Sequence, residues 1–384
     1  MIAYIRTQGA RIIKEGRHLL VKKGADTCNT LFTYKLDQVI VFGNVEITHQ
    51  ALTQLMRNNI DTVFLTQNGR YLGRIAPAEA RNVFLRKKQY CLLDDTSFGL
   101  KVAKAIVSGK LANMATLLMR IKRSRIESAL AGVKARSIQD LLKPLASADN
   151  IESVRGYEGR GTAFYFEALP KGFVEDWGFT RRIRRPPTDP VNSILSLLYT
   201  FLMNRVYAAV RVAALDPYPG FLHAIDYGRY SLVLDLMEEF RPIIVDTLTL
   251  SLFNLKILKH SDFYVEKPED TAFDEDSLPV PDVSKDPIGF ISDTSTDTDA
   301  FDLPEQRMDN SRSEPAGSGK HPVKLRNDAF HRVIEAFEKK LTTKFYYPPA
   351  EETISFGEAL IHQAGRFRKV IEGDAEVYLP LLLK

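Results

Sequence analysis

Gly220 to Pro242 reads GFLHAIDYGRYSLVLDLMEEFRP: a histidine in a turn, then Asp235, Glu238 and Glu239 among Leu232, Leu234 and Leu236, just ahead of Arg241. A carboxylate loses its hydration on burial, so an apolar helix carrying three of them either turns them to water or meets a positive partner. Asp235 and Glu238 stand ~60° apart around a helix axis and can reach one point. The plain alternative is a solvated face with Glu238 paired to Arg241. His223 follows the rigid turn Asp216-Pro217-Tyr218-Pro219-Gly220, and its own plain alternative is a satisfied core histidine.

A third carboxylate lies upstream in RGYEGRGTAFYF, Arg155 to Phe166, where Glu158 sits among Gly156, Gly159 and Gly161. A helix is expected to begin there, with Thr162 and Tyr165 further along one face. The glycine order is not the dinucleotide fingerprint, so nucleotide cradling is discounted. A glutamate favoured by a helix macrodipole is the simpler account. Taken together, an imidazole and two or three carboxylates from separate helices would form a mixed nitrogen and oxygen site. Such a site suits Mg²⁺ or Mn²⁺ acting on a phosphodiester.

The basic residues are a separate feature. FTRRIRRPPTDPVN places Arg181, Arg182, Arg184 and Arg185 before a helix whose expected cap is Asp189, with Pro190 at its first position. With Tyr165, Tyr157 and Trp177 near in sequence, these arginines would suit a phosphate backbone and unstacked bases, or form a solvated charged loop. Lys101, Lys104, Lys110, Arg120, Lys122, Arg123 and Arg125 form a second basic band, expected to be a wet helix face.

The elements that must position these groups fall into two textures. Residues 1–76 are short alternating or β-branched runs (HLLVKK, QVIVFGNVEIT, TVFLTQNGRYLGRI) punctuated by turn residues, with one helix expected at Thr48 to Asn58 and a hairpin turn at Gln67-Asn68-Gly69-Arg70. Residues 77–90 read as a linker and helix. Residues 91–266 and 321–384 carry helical spacing, including Val191 to Leu215, Leu232 to Leu258 and Phe330 to Thr343. The fold class is therefore α+β, a small β-rich domain followed by a large all-α one. Residues 267–320, rich in Asp, Ser, Thr and Pro, read as a disordered acidic insertion, either a solvated loop or a strip that mimics nucleic acid over a basic surface.

Composition bounds the rest. With 384 residues, 45% of them hydrophobic and 26% charged, the chain can build real cores, and its formal charge of +4 hides a strong segregation of acid into one segment. Two cysteines, Cys28 and Cys91, give neither a disulfide framework nor zinc spacing. A cytoplasmic home is expected, without secretion or a membrane span.

GYEGRGTAFYF, RRPPTDPVNSILSLLY and LDPYPGFLHAIDYGRYSLVLDLMEEFRP together resemble the motifs of the CRISPR-associated integrase of spacer acquisition, the larger of the two adaptation proteins. The likeness extends to EALIHQAGRFRKVIEGDAEVYLP and omits the acidic segment, which typical members lack. The resemblance implies a β-rich homodimer-forming domain, a helical catalytic domain, and Glu158, His223 and Glu238 as metal ligands with Asp235 auxiliary. Helix geometry alone leaves the choice between Glu238 and Glu239 open. It further implies double-stranded DNA as substrate and a small ferredoxin-like partner, two dimers clamping one partner dimer. The implied reaction is a 3′-hydroxyl attack on a phosphodiester at the CRISPR repeat. A metal-dependent nuclease of DNA repair, acting on branched or single-stranded DNA, is the rival reading.

Overall fold

The computed structural model describes residues 2–67, 69–75, 82–125, 128–183, 186–266 and 321–383. The chain divides into two compact units, one up to Arg81 and one from Asn82 onward. The hairpin position Asn68, the first five residues of the expected linker and helix (77–81), and the acidic segment 267–320 lie outside the described residues.

The first unit contains β1 (Ile2–Ile5), β2 (Ala10–Glu15), β3 (His18–Lys23), β4 (Asp26–Phe32), β5 (Gln38–Phe42), β6 (Val45–Ile47), α1 (His49–Arg57), β7 (Asp61–Leu65) and β8 (Tyr71–Ile75). They form two four-stranded sheets, in the orders β1-β5-β7-β8 and β4-β3-β2-β6. β5 runs parallel to both β1 and β7 and is buried along its whole length, which explains why QVIVF is apolar without alternation. Ile5, Ile12, Leu19, Val39 and Val41 join Ala51 and Leu55 of α1 in one core. Thr48 caps α1 by accepting from Ala51 N, within a residue of where the pattern predicts the helix to start.

The second unit runs through α2 (Val83–Leu93), α3 (Thr96–Ser124), α4 (Ala129–Ala146), α5 (Ile151–Ala168), α6 (Pro190–Val212), α7 (Ser231–Met237) and α8 (Thr247–Asn254), then β9 (Phe263–Val265), β10 (Val323–Leu325), α9 (Asn327–Thr342), β11 (Lys344–Tyr347), β12 (Glu352–Ser355) and α10 (Phe356–Glu372). It is not all-α: β9 pairs with β10 and β11 with β12, both antiparallel. The first ribbon pairs described residues on either side of the acidic segment, with Val265 opposite Val323. Asp95, Asn150 and Asp189 each cap a helix by accepting from the backbone three residues on, and Pro190 begins α6 as the sequence predicts. α3, α4 and α5 pack on one another, and α10 packs on α6.

Two further expectations change. The predicted helix Leu232 to Leu258 is divided into α7, a π-helical turn at Arg241–Asp246, and α8. Pro242 has no N–H to donate to the previous turn, so the helical ladder breaks there and resumes with wider spacing. α3 and α6 are long and apolar enough to cross a membrane by length and composition alone, yet 67% of each apolar window is buried within the protein, the mark of core helices.

Candidate active site

All three carboxylates of the opening stretch are buried, Asp235 at 0%, Glu238 at 1% and Glu239 at 2% exposure. A solvated face is therefore excluded, and each acid has found a different kind of partner.

Asp235 organises the histidine turn. Gly220 lets that turn press on the start of α7, since a Cβ there would stand 2.6 Å from the Ser231 backbone. Asp235 then accepts from the N–H groups of Phe221 (2.6 Å), Leu222 (3.0 Å) and His223 (3.0 Å), and His223 Nδ1 lies 2.6 Å from its Oδ1. An oxygen pair already receiving three N–H groups acts as an acceptor toward the ring. Nδ1 thus carries a ring proton toward Asp235, which leaves Nε2 as the nitrogen whose lone pair the neutral tautomer would offer.

Glu158 lies in the middle of α5, not at a helix start as expected. Its neighbour Gly161 serves packing: a Cβ there would come within 2.3 Å of Leu111 Cδ2, so only glycine lets α5 approach α3 this closely. The approach brings Glu158 onto Lys110 Nζ of α3, in a short ion pair. Thr162 Oγ1 donates to the same carboxylate at 3.1 Å. One turn earlier, Arg155 Nε donates to the Leu222 carbonyl at 2.9 Å, tying the His223 turn to the helix that carries Glu158.

Glu238 reaches the same lysine from α7. Its Oε2 is 2.7 Å from Lys110 Nζ, and its Oε1 is 3.3 Å from Arg241 Nη2. Neither oxygen has a donor in hydrogen-bond alignment. Burial alone would raise the Glu238 pKa, but Arg241 and Lys110 outweigh it and hold the group below the ordinary carboxylate value. Burial likewise works against the Lys110 ammonium, and the two glutamates reverse this, so its pKa stands above the ordinary lysine value. Behind the pair, Arg241 lies over the Tyr199 ring at 5.0 Å. Tyr199 (2.7 Å) and Tyr165 (2.6 Å) donate to the two oxygens of Asp246, whose pKa burial lifts to about 6.

Glu239 faces the C-terminal segment. Tyr378 Oη (2.8 Å), Gln363 Nε2 (3.0 Å) and Leu381 N (2.6 Å) donate to it, and burial raises its pKa to about 7. Asn113, one turn from Lys110 on α3, donates to the Glu239 carbonyl (2.9 Å) and the Leu381 carbonyl (2.8 Å).

Among the described residues no three His, Cys, Asp or Glu side chains stand close enough to hold a metal ion as they are. The donor chemistry nevertheless fits a hard divalent cation. Glu158 and Glu238 already converge on one positive centre, both Glu238 oxygens lack an aligned donor, and the turn that carries His223 is tied to α5 by Arg155.

The residues expected to touch DNA fare unevenly. Arg181 is exposed. Arg184 and Arg185 lie outside the described residues. Tyr165 is wholly buried against Asp246 and cannot stack on a base. Arg182 is held inside its loop, donating to Asn192 Oδ1 (2.9 Å), Ser196 Oγ (3.0 Å) and the Ile183 carbonyl (3.0 Å). Lys110, assigned to a wet basic face, is 2% exposed. Its position was legible: with Ala103, Val107 and Met114 it continues the buried stripe of α3, where a lone lysine requires anionic partners. Arg155 and Asn113 carried no such signal.

A β-rich unit followed by a largely helical unit, in which two glutamates from separate helices meet on a buried lysine, defines a mixed α+β protein. The family model described as CRISPR associated protein Cas1 matches residues 3–277, and the chain belongs to that family. It is 27% identical over 385 residues to the CRISPR-associated endonuclease Cas1 3 of Thermus thermophilus, covering 100% of this chain and 97% of the relative. Among solved structures it resembles a Cas6-RT-Cas1–Cas2 complex (TM-score 0.76, 20% identity, 100% of this chain, 36% of that one). It also resembles a casposase bound to an integration product (TM-score 0.76, 19% identity, 98% of this chain, 92% of that one). At these identities the likeness shows the fold.

Proposed function

We propose that the chain is a metal-dependent DNA endonuclease and integrase that joins short captured duplexes to a CRISPR repeat by transesterification. The observation that carries the reading is the meeting of Glu158 and Glu238, from separate helices, on one cation, with the His223 turn tied to the same helix as Glu158. The endonuclease name of the Thermus relative and the integration product bound by the casposase support it.

Glu158, Glu238 and His223 Nε2 would hold Mg²⁺ or Mn²⁺. Such an ion, when bound, makes a hydroxyl more acidic and offsets charge on the phosphate. The chain's own groups do the positioning. Asp235 fixes the imidazole's tautomer and direction, Arg155 sets the turn against α5, and Arg241 keeps Glu238 ionised. In the joining step one P–O bond forms to the incoming 3′-oxygen while one breaks to the departing strand, so no nucleotide cofactor is consumed. Water in place of the 3′-hydroxyl would give cleavage, the hydrolase form of the same chemistry.

We further infer a cytoplasmic homodimer acting with a small ferredoxin-like protein on double-stranded DNA. The Cas1–Cas2 assembly of the structural neighbour supports a second protein. The β-rich unit offers an exposed edge strand, β4, with Phe32 and the following Tyr34 turned to solvent.

The test is integration of a labelled duplex into a supercoiled plasmid bearing a repeat array, with the partner and Mn²⁺ supplied. Glu158→Ala and His223→Ala are each expected to abolish joined product while duplex binding persists. Undiminished joining by both variants would overturn the metal assignment; cleavage without joining by the parent would select the repair nuclease.

A further inference from the structure

We propose that Lys110 is a resident counter-ion of the Glu158 and Glu238 pair, exchanged for the divalent metal when DNA phosphate arrives, so that metal loading and DNA binding are coupled through this one side chain. The inference rests on the reading of Glu158 and Glu238 as metal ligands.

Lysines on α3 otherwise reach solvent; Lys101 is exposed and Lys104 donates to the exposed Ala146 carbonyl. Lys110 instead ends inside the protein, between the two glutamates. The buried Glu238 and the half-buried Glu158 face two buried cations, Lys110 and Arg241, so the two glutamates are balanced one for one without any metal. The point where both glutamates can share a divalent ion is the point Nζ now holds. An ammonium and a dication cannot occupy it together, because they overlap and repel in a medium that screens poorly.

The fit of this lysine differs from that of a permanent structural partner. Asp235 and Glu239, on either side in sequence, have their oxygens filled by aligned donors. Glu238 has charge nearby and no aligned donor on either oxygen. The Glu238 side of this contact is held by charge without an aligned hydrogen bond, and it can be exchanged for a stronger cation provided the displaced ammonium finds another anion. The lysine stem is flexible, and a DNA phosphodiester is the anion that the substrate itself brings.

The experiment is a Mn²⁺ titration followed by electron paramagnetic resonance of free Mn²⁺, on the full chain, with and without a short duplex, for the parent, Lys110→Met and Glu158→Ala. The parent is expected to bind Mn²⁺ weakly alone and about tenfold or more tightly with duplex. Lys110→Met is expected to bind about tenfold or more tightly without duplex, with little further gain from it. Its melting temperature is expected to fall without metal and to rise with Mn²⁺ by more than the parent's does. Unchanged or weaker Mn²⁺ binding by folded Lys110→Met would overturn the proposal, provided Glu158→Ala loses Mn²⁺. Retained binding by Glu158→Ala would instead refute the metal reading beneath it. If Lys110→Met does not fold, the parent decides: Mn²⁺ affinity indifferent to duplex would also overturn the exchange.

Discussion

Two neighbouring regions of the helical unit bury carboxylates in opposite ways. Around Lys110, Glu158 and Glu238 meet charges, and Glu238 lacks aligned hydrogen bonds. Under the C-terminal segment, Glu239 meets neutral donors, each well placed, and its pKa rises to about 7. Asp246, between two tyrosine hydroxyls, belongs with the second kind. A carboxylate satisfied by neutral donors is part of the scaffold. One that is ionised, desolvated and imperfectly bonded is kept available for a stronger cation, and adjacent residues of one helix end thus serve chemistry and stability separately.

The sharpest way to break this contrast is the same substitution at both positions. Glu238→Gln is expected to lower strand transfer by about 100-fold or more, since it removes an anionic ligand. Glu239→Gln should retain activity within about threefold, because Glu239 faces the C-terminal segment rather than Lys110 and the amide can keep one oxygen as acceptor while the Tyr378 hydroxyl turns to accept from its nitrogen. Equal losses measured in the plasmid joining assay would erase the distinction between the two regions.

A smaller effect reads the scaffold alone. Glu239→Ala leaves the Tyr378 hydroxyl, the Gln363 amide and the Leu381 N–H without their acceptor, and should cost roughly 2–4 kcal/mol in urea denaturation. The smallest concerns pH. Glu239 (about 7) and Asp246 (about 6) hold protons in the folded state that the unfolded chain releases, so their stabilising contribution is full below about pH 4 and is lost as pH rises through 6 and 7. Denaturation midpoints should therefore decline from pH 5 to pH 8, and Glu239→Gln should flatten that decline. Glu238, whose pKa is lowered, acts in the opposite sense, its contribution being lost as pH falls below the ordinary carboxylate range.

Much of this was legible in the chain. β-Branched runs gave β3, β5 and β7, Asp189-Pro190 marked the start of α6, and Glu158, His223, Asp235 and Glu238 stood out as titratable residues in unusual company. The misreadings have definite causes. Tyr165 was grouped with DNA-facing residues through proximity in sequence, whereas helix rotation turns it onto Asp246. The break after Phe240 follows from Pro242, a local signal outweighed by the apolar pattern on either side. The two ribbons β9–β10 and β11–β12 are short segments whose pairing depends on long-range closure rather than on periodicity.

By itself the sequence determined which residue types could do the chemistry, because helical spacing, caps and turn residues act over a few positions and are written locally. Tertiary structure alone decided who neutralises whom. Burial depth and the approach of α3 to α5 at Gly161 set the cost of each charge and the partner that offsets it, and these depend on contacts between residues far apart in the chain.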